Sequence, residues 1–296
     1  MFHSMSFMPK KPLDDILQRE FVACMFDYDG TLVERGYRIP LPSFMPELLQ
    51  DISRRSFMAV CTARPFSAAF KHAHDMLGKH FDELKKKWVW ICENGAVGYA
   101  YDQALDDFMP FYRVPWPEDV ISLGRFSGAV HDAFDTHVSE IQVCEGVIIL
   151  RPADLSTISL DQMSFRCETL ERMGLDLIAD LELEGKIRLG NSSLGIIFYG
   201  AEADKDRGAL EFGKYLIEKG VTLHEPFRDI ICFGDRAMKY GNDEYFLSGK
   251  FGTPVNVGEE VLDKPDLASV YDHSGDRLMG PRATSYLLRQ LRFVTR

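Results

Sequence analysis

Two patterns of apolar and polar positions run along this chain. Residues 20–26 (EFVACMF), 56–62 (SFMAVCT) and 88–92 (WVWIC) are near-continuous apolar runs, each followed by turn chemistry. Runs of that length suit strands covered on both faces. Residues 44–54 and 66–78 lie between them with helical spacing. The alternation resumes late in the chain. Residues 205–220 predict a helix closed by Gly220, and 229–235 and 252–258 predict further strands. Strand and helix in alternation predict a parallel sheet with helical crossovers. The tail at 283–294 (ATSYLLRQLRFV) predicts a half-buried terminal helix.

The middle of the chain follows another rule. Residues 100–115, acidic, aromatic and proline-containing, read as a connection. A helix is expected over 117–138, then a hairpin about Glu145-Gly146 joining EIQVCE to GVIILRP. A long helix over 161–183 and two more strands, GKIRLG and LGIIFYG, complete the set, with Asn191-Ser192 between the strands. Helix, two strands, helix, two strands is an α+β unit with its own antiparallel sheet. The expected architecture is therefore α/β: a core of residues 1–100 and 200–296, with an α+β domain of 101–199 inserted into it. Phe108, Phe111, Tyr112 and Trp116 are expected to pack where the two meet.

Composition narrows the classes. At 296 residues and 46% hydrophobic, the chain can bury a sizeable core. A formal net charge of -11 argues against a general nucleic-acid binder. It does not exclude a small anionic substrate, because local cations or a metal reverse the field in one cleft. No apolar run is long enough to cross a membrane as a helix. The first 15 residues lack the order of a secretory signal. The six cysteines show no CxxC spacing and read as buried, reduced thiols of a cytoplasmic protein. The eight histidines form no HxH or HExxH pattern. A homodimer is compatible with all of this, but no residue pattern specifies one.

The candidate chemistry lies at the ends of the strands. The first ends in Asp27-Tyr28-Asp29-Gly30-Thr31, the second in Thr62-Ala63-Arg64, and the third in Glu93-Asn94-Gly95. The fourth ends in Gly234-Asp235, with Asp243 eight residues on. Open parallel sheets bind ligands outside the carboxyl ends of their strands, so these residues converge on one crevice. Lys205, at the start of the helix after the insertion, is placed to reach it. Asp27, Asp29 and Asp235 cannot all be ionised in one small space without a counter-charge. Mg²⁺, which takes a few carboxylates plus water and a phosphate oxygen, satisfies that need. Lys205, the Thr62 hydroxyl and the amides of the Gly30 turn suit a phosphate. Asp27 is then the expected nucleophile and Asp29 the expected general acid. Thr31 is expected to fix the carboxylates by hydrogen bonding. Asn94 reads equally as a turn residue with positive φ and as a substrate contact. Asp243 reads as a helix cap, as metal-site support, or as both.

In DYDGTLV, CTARP, DKDRGAL and FGDRAMKYGND the chain resembles the four ordered motifs of the haloacid dehalogenase superfamily, in its phosphatase and phosphomutase branch. The resemblance covers about 20–99 and 200–275. It implies a Rossmann-like core, Mg²⁺ dependence and a phosphoaspartyl intermediate on Asp27. It implies metal ligation by Asp27, the Asp29 carbonyl and Asp235, with Asp243 beside the metal, and phosphate held by Thr62 and Lys205. The position of the insertion resembles the subfamily with a large α/β cap, which contains sugar-phosphate phosphatases and phosphomannomutases. Ala63 stands where that family's second motif usually has glycine, and the fourth motif has the longer, mutase-like spacing. The segment GVIILRPADLS does not reproduce the arginine-bearing stretch of the mutases. Arg151, Arg166, Arg172, Lys186 and Arg188 are the inserted unit's candidates for a second phosphate. The expected function is a Mg²⁺-dependent phosphohydrolase of a small phosphorylated metabolite, a sugar phosphate above all. The alternatives are a phosphomutase and a non-catalytic binding protein.

Overall fold

The computed structural model describes residues 11–36, 38–261, 263–264 and 266–294. The start of the chain, read above as lacking a secretory signal, lies outside the described residues up to position 10. Twelve strands concern the site. They are β1 (Ala23–Phe26), β2 (Phe57–Cys61), β3 (Trp88–Cys92), β4 (Val97–Asp102), β5 (Asp107–Arg113), β6 (Val138–Val143), β7 (Val147–Pro152), β8 (Ile187–Asn191), β9 (Ile196–Gly200), β10 (Ile230–Gly234), β11 (Thr253–Asn256) and β12 (Ala268–Ser269).

The large sheet has the order β12-β11-β10-β1-β2-β3-β4-β5. It is parallel from β12 to β3, and the last two strands run antiparallel. The apolar runs build it because both faces are covered. Cys24, Phe26, Met58, Val60, Trp88 and Trp90 pack on one side. That side is closed by α1 (Met45–Ser53) and the C-terminal helix Gly280–Leu288. Ala23, Met25, Ala59, Cys61, Val89 and Ile91 pack on the other, against Phe212 and Leu216 of the helix Lys205–Glu218. This is the period of two expected of strands, with an apolar residue on either face.

The second sheet, β6-β7-β9-β8, is antiparallel throughout. The helices Leu123–Phe134 and Leu160–Asp180 cover one face, burying Phe126, Phe134, Leu170 and Phe198. Ser159 and Gln162 open the longer helix with a reciprocal capping box. The other face, with Ile149 and Ile197, looks onto the carboxyl ends of the large sheet.

Four local expectations are corrected. Residues 100–115, expected as a connection, fall largely in the β4–β5 hairpin of 97–113, so the large sheet runs on past residue 101. The interior of β5 is half exposed and contains Pro110, so it lacks the buried-strand signature. The helix expected over 66–78 is broken into Phe66–Phe70 and Ala73–Leu77. The terminal helix ends at Leu288, and Arg292–Phe293 pairs parallel with Glu20–Phe21 instead. The four aromatics do not form one interface. Phe108 packs on Phe66, Phe70 and Phe81, Phe111 on Tyr215, and Trp116 on Phe126.

Candidate active site

The turn after β1 begins with Asp27, whose N–H still donates to Phe233 of β10 at 2.8 Å. The carbonyl of Tyr28 then accepts from the N–H groups of Leu32 and Val33, at 2.9 and 3.2 Å. The chain reverses there at Gly30, which has φ of +82°. A Cβ at that position would lie 2.1 Å from a carboxylate oxygen of Asp235. Glycine is therefore required by the turn and by the close approach of the two loops.

Asp27, Asp235 and Asp243 each offer a carboxylate oxygen within 4.8 Å of the others, and all three side chains are buried. Lys205, fully buried at the start of its helix, donates to Asp27 and, at 2.6 Å, to Asp243. The second oxygen of Asp243 accepts from the N–H groups of Asp235 and Arg236, at 3.0 and 3.1 Å. Asp243 thus holds the loop after β10 in place; it caps that loop and not a helix. Arg35 donates to Asp235 Oδ2 through Nε, at 3.2 Å, and through Nη2.

Burial pushes the Asp27 carboxyl well above its usual range; Lys205 opposes this, and Asp243 and Asp235 add to it. Burial likewise raises Asp235 to about 6, against the pull of Arg35. Burial alone would lower the Lys205 pKa, but Asp243 and Asp27 together raise it above the ordinary lysine value.

Asp29 is held differently. Arg64 grips it through Nη2 at 2.8 Å and Nε at 3.2 Å. The guanidinium lies over the Tyr28 ring. Thr62 is buried, and its hydroxyl oxygen accepts from the Arg64 N–H at 3.2 Å, which leaves its O–H free to donate. The Thr31 hydroxyl has no hydrogen-bond partner, so it does not fix the carboxylates. Its carbonyl instead accepts from Thr284 at 2.8 Å. Asn94 has φ of +54° and is fully buried, and neither polar atom of its amide has a partner.

Asp27, Asp29 and Thr62 open onto a cavity of about 450 Å³ between the two sheets. Ile149, Arg151, Leu194 and Ile197 of the inserted unit form its far wall, and Gly36 with Arg38, Ile39, Pro40 and Leu41 contributes a side. A volume of that order suits a small metabolite. Among the inserted unit's cations singled out above, Arg151 lines the cavity, paired with Glu140 at 2.9 Å. Arg188 instead bonds Asp204 and stacks on Tyr245. Arg166 bonds the Ala153 carbonyl, and Arg172 reaches Thr169. Arg35 is the site residue that sequence reasoning leaves without a place; Arg64 falls within the second strand-end motif, and Arg151 is among the candidates for a second phosphate. Arg35 lies four residues after Thr31 of the first strand-end motif, the one signal pointing to it.

The residues fit a hard divalent cation. Three carboxylates converge, and Asp235 Oδ1 is buried with no hydrogen-bond partner, an open acceptor for which a cation is the fitting occupant.

Asp206 tests the electrostatics beside this site. Its pKa is raised to about 6, by burial first and by Asp204 second. A folded-state value above the unfolded one means that the folded protein gains stability as the carboxyl protonates. Wild type should therefore gain on Asp206→Asn as pH falls from about 6 to about 4, with the difference level on either side of that window. Paired thermal melts across that range check it; a pH-independent difference would refute it.

No family model matches the sequence, and no curated protein matches it. Solved structures do. A haloacid dehalogenase-like hydrolase from Bacteroides thetaiotaomicron superposes with a TM-score of 0.59 at 14% identity, over 92% of this chain and 99% of that one. The IMP-bound, N-terminally truncated IMP-nucleotidase of Plasmodium falciparum gives 0.59 at 13% identity, over 95% of this chain and 70% of that one. A structure from work on a trigonal-bipyramidal intermediate in a phosphoryl-transfer superfamily gives 0.57 at 16% identity, over 91% and 98%. With its parallel core sheet, its second α+β layer and its converging aspartates, the chain has the fold of the haloacid dehalogenase-like hydrolases.

Proposed function

We propose that this protein is a Mg²⁺-dependent phosphohydrolase of a small phosphorylated metabolite, with sugar phosphates the first class to test. One observation carries the reading: Asp27 lies on the floor of a metabolite-sized cavity, in contact with a buried lysine and beside two further buried aspartates. Asp27, the Asp29 carbonyl and Asp235 would hold the cation, with Asp243 beside them. Bound there, Mg²⁺ neutralises phosphate oxygens and charge developing in the transition state.

The chain's own residues do the rest. Lys205 and the Thr62 hydroxyl bind the phosphate. The Asp27 carboxylate attacks phosphorus while the bond to the leaving oxygen breaks. Asp29 gives that oxygen its proton. A water then attacks the aspartyl phosphate, Asp29 takes the water's proton, and phosphate and free Asp27 are regenerated. The unit of about 101–199, with its first residues contributed to the large sheet, serves as the cap that excludes bulk water. Five of the six cysteines are buried and all six are free thiols, which supports work in a reducing compartment such as the cytoplasm.

A phosphomutase is the second reading, favoured by Arg151, a cation on the cavity wall that faces the core. One assay separates them: phosphate release from a panel of sugar, nucleoside and aryl phosphates, with Mg²⁺ or with EDTA. Release in Mg²⁺ that EDTA abolishes is expected. Conversion of a hexose 1-phosphate to the 6-phosphate, dependent on a bisphosphate, would replace the hydrolase by the mutase. Metal-independent release would overturn both.

A further inference from the structure

Arg35 has no role in the reading above, yet its guanidinium bonds the buried carboxylate of Asp235. Two of its three donor nitrogens, Nε and Nη2, go to one oxygen, Oδ2. The other oxygen, Oδ1, is buried and has no donor at all. The carboxylate is thus divided: one oxygen is saturated by a guanidinium, and the other is left open. Arg35 does not line the cavity, so it is not placed to touch a substrate. Its side chain is a quarter exposed, whereas that of Asp235 is almost fully buried. It belongs to the chain that leaves the Gly30 turn.

We propose that Arg35 is a positioning residue for the metal centre, fixing Asp235 so that Oδ1 alone is presented as a ligand atom. This rests on the reading that Asp27, Asp235 and Asp243 hold a divalent cation. Outer partners of ligating carboxylates set ligand orientation, and their loss commonly weakens metal binding by about 10–100-fold. Through-space repulsion works the other way. A fixed positive charge near the centre disfavours a second cation, so removing Arg35 for that reason alone would tighten binding. The sign of the change therefore separates an orienting arginine from one that merely offsets the charge of Asp235.

The test is Mg²⁺ titration of metal-free, full-length protein by calorimetry, with the metal-induced shift in thermal midpoint as a second readout. For Arg35→Leu the Kd is expected to rise by about 10-fold or more and the metal-induced shift to shrink. Arg35→Gln, which still donates to Oδ2 without the charge, should recover part of the affinity. If Arg35→Leu does not fold, Arg35→Gln is read in its place, and a Kd at least a few-fold weaker than wild type is expected. An unchanged or tighter Kd in the variant read would overturn the inference and leave the metal site standing. A wild-type protein that binds no Mg²⁺ would overturn the metal reading itself.

Discussion

Asp27→Asn is expected to abolish phosphate release, by on the order of 10⁴-fold or more, in a protein that stays folded. The amide keeps the size of the carboxylate and can still accept from Lys205, but it is not a nucleophile. Stability should hold or improve. Burial already raises the Asp27 pKa, so the charged form is held at a cost that asparagine does not incur. The two readouts therefore move apart: turnover falls while the thermal midpoint stays level or rises. Single-turnover phosphate release together with thermal melts measures both. Turnover within a few-fold of wild type would remove Asp27 from the chemistry. A collapse of both readouts would make its role structural.

Lys205→Met should produce the largest change in stability. The ammonium is fully buried and bonds both Asp27 and Asp243. Without it, two buried carboxylates face each other with their shared cation gone, and breaking a buried pair in this way costs about 3–5 kcal/mol. The thermal midpoint should fall by on the order of 10 °C. Adding Asp243→Asn should return part of the loss, because the penalty lies in the unpaired charge and the two sites are coupled. Mg²⁺ should also stabilise the single variant by more than it stabilises wild type, since it supplies the missing positive charge. A midpoint unchanged in Lys205→Met would mean that the aspartates are not ionised together in the resting protein.

Parts of this architecture are legible in the sequence. Strands such as Ala23–Phe26 and Trp88–Cys92 announce themselves because helices cover both faces, which forces unbroken apolar runs. Convergence of Asp27, Thr62, Lys205 and Asp235 follows from the parallel order, which gathers the carboxyl ends of neighbouring strands. The β4–β5 hairpin was hidden because its strands are partly exposed and its polar positions mimic a linker. Arg35 escaped for another reason, as did the pairing of Arg64 with Asp29. The reach of a long cation depends on the path of its loop, and no spacing rule encodes that path. Thr31 shows the converse, a residue whose place in the motif suggested a hydrogen bond that its hydroxyl does not make.

The hairpin has a consequence for how these molecules behave in a crowded solution. An eight-stranded sheet must end somewhere, and an exposed strand edge is a template on which another chain can add. Here one end is the two-residue strand Ala268–Ser269. The other is β5, which carries Pro110 and exposed Asp107 and Arg113, beside an irregularity in register at Gly98/Tyr99. A two-residue edge offers little to pair with, and a proline removes one donor from the other edge. The sheet that positions the aspartates is therefore blunted at both ends against growth into fibrils or edge-to-edge aggregates.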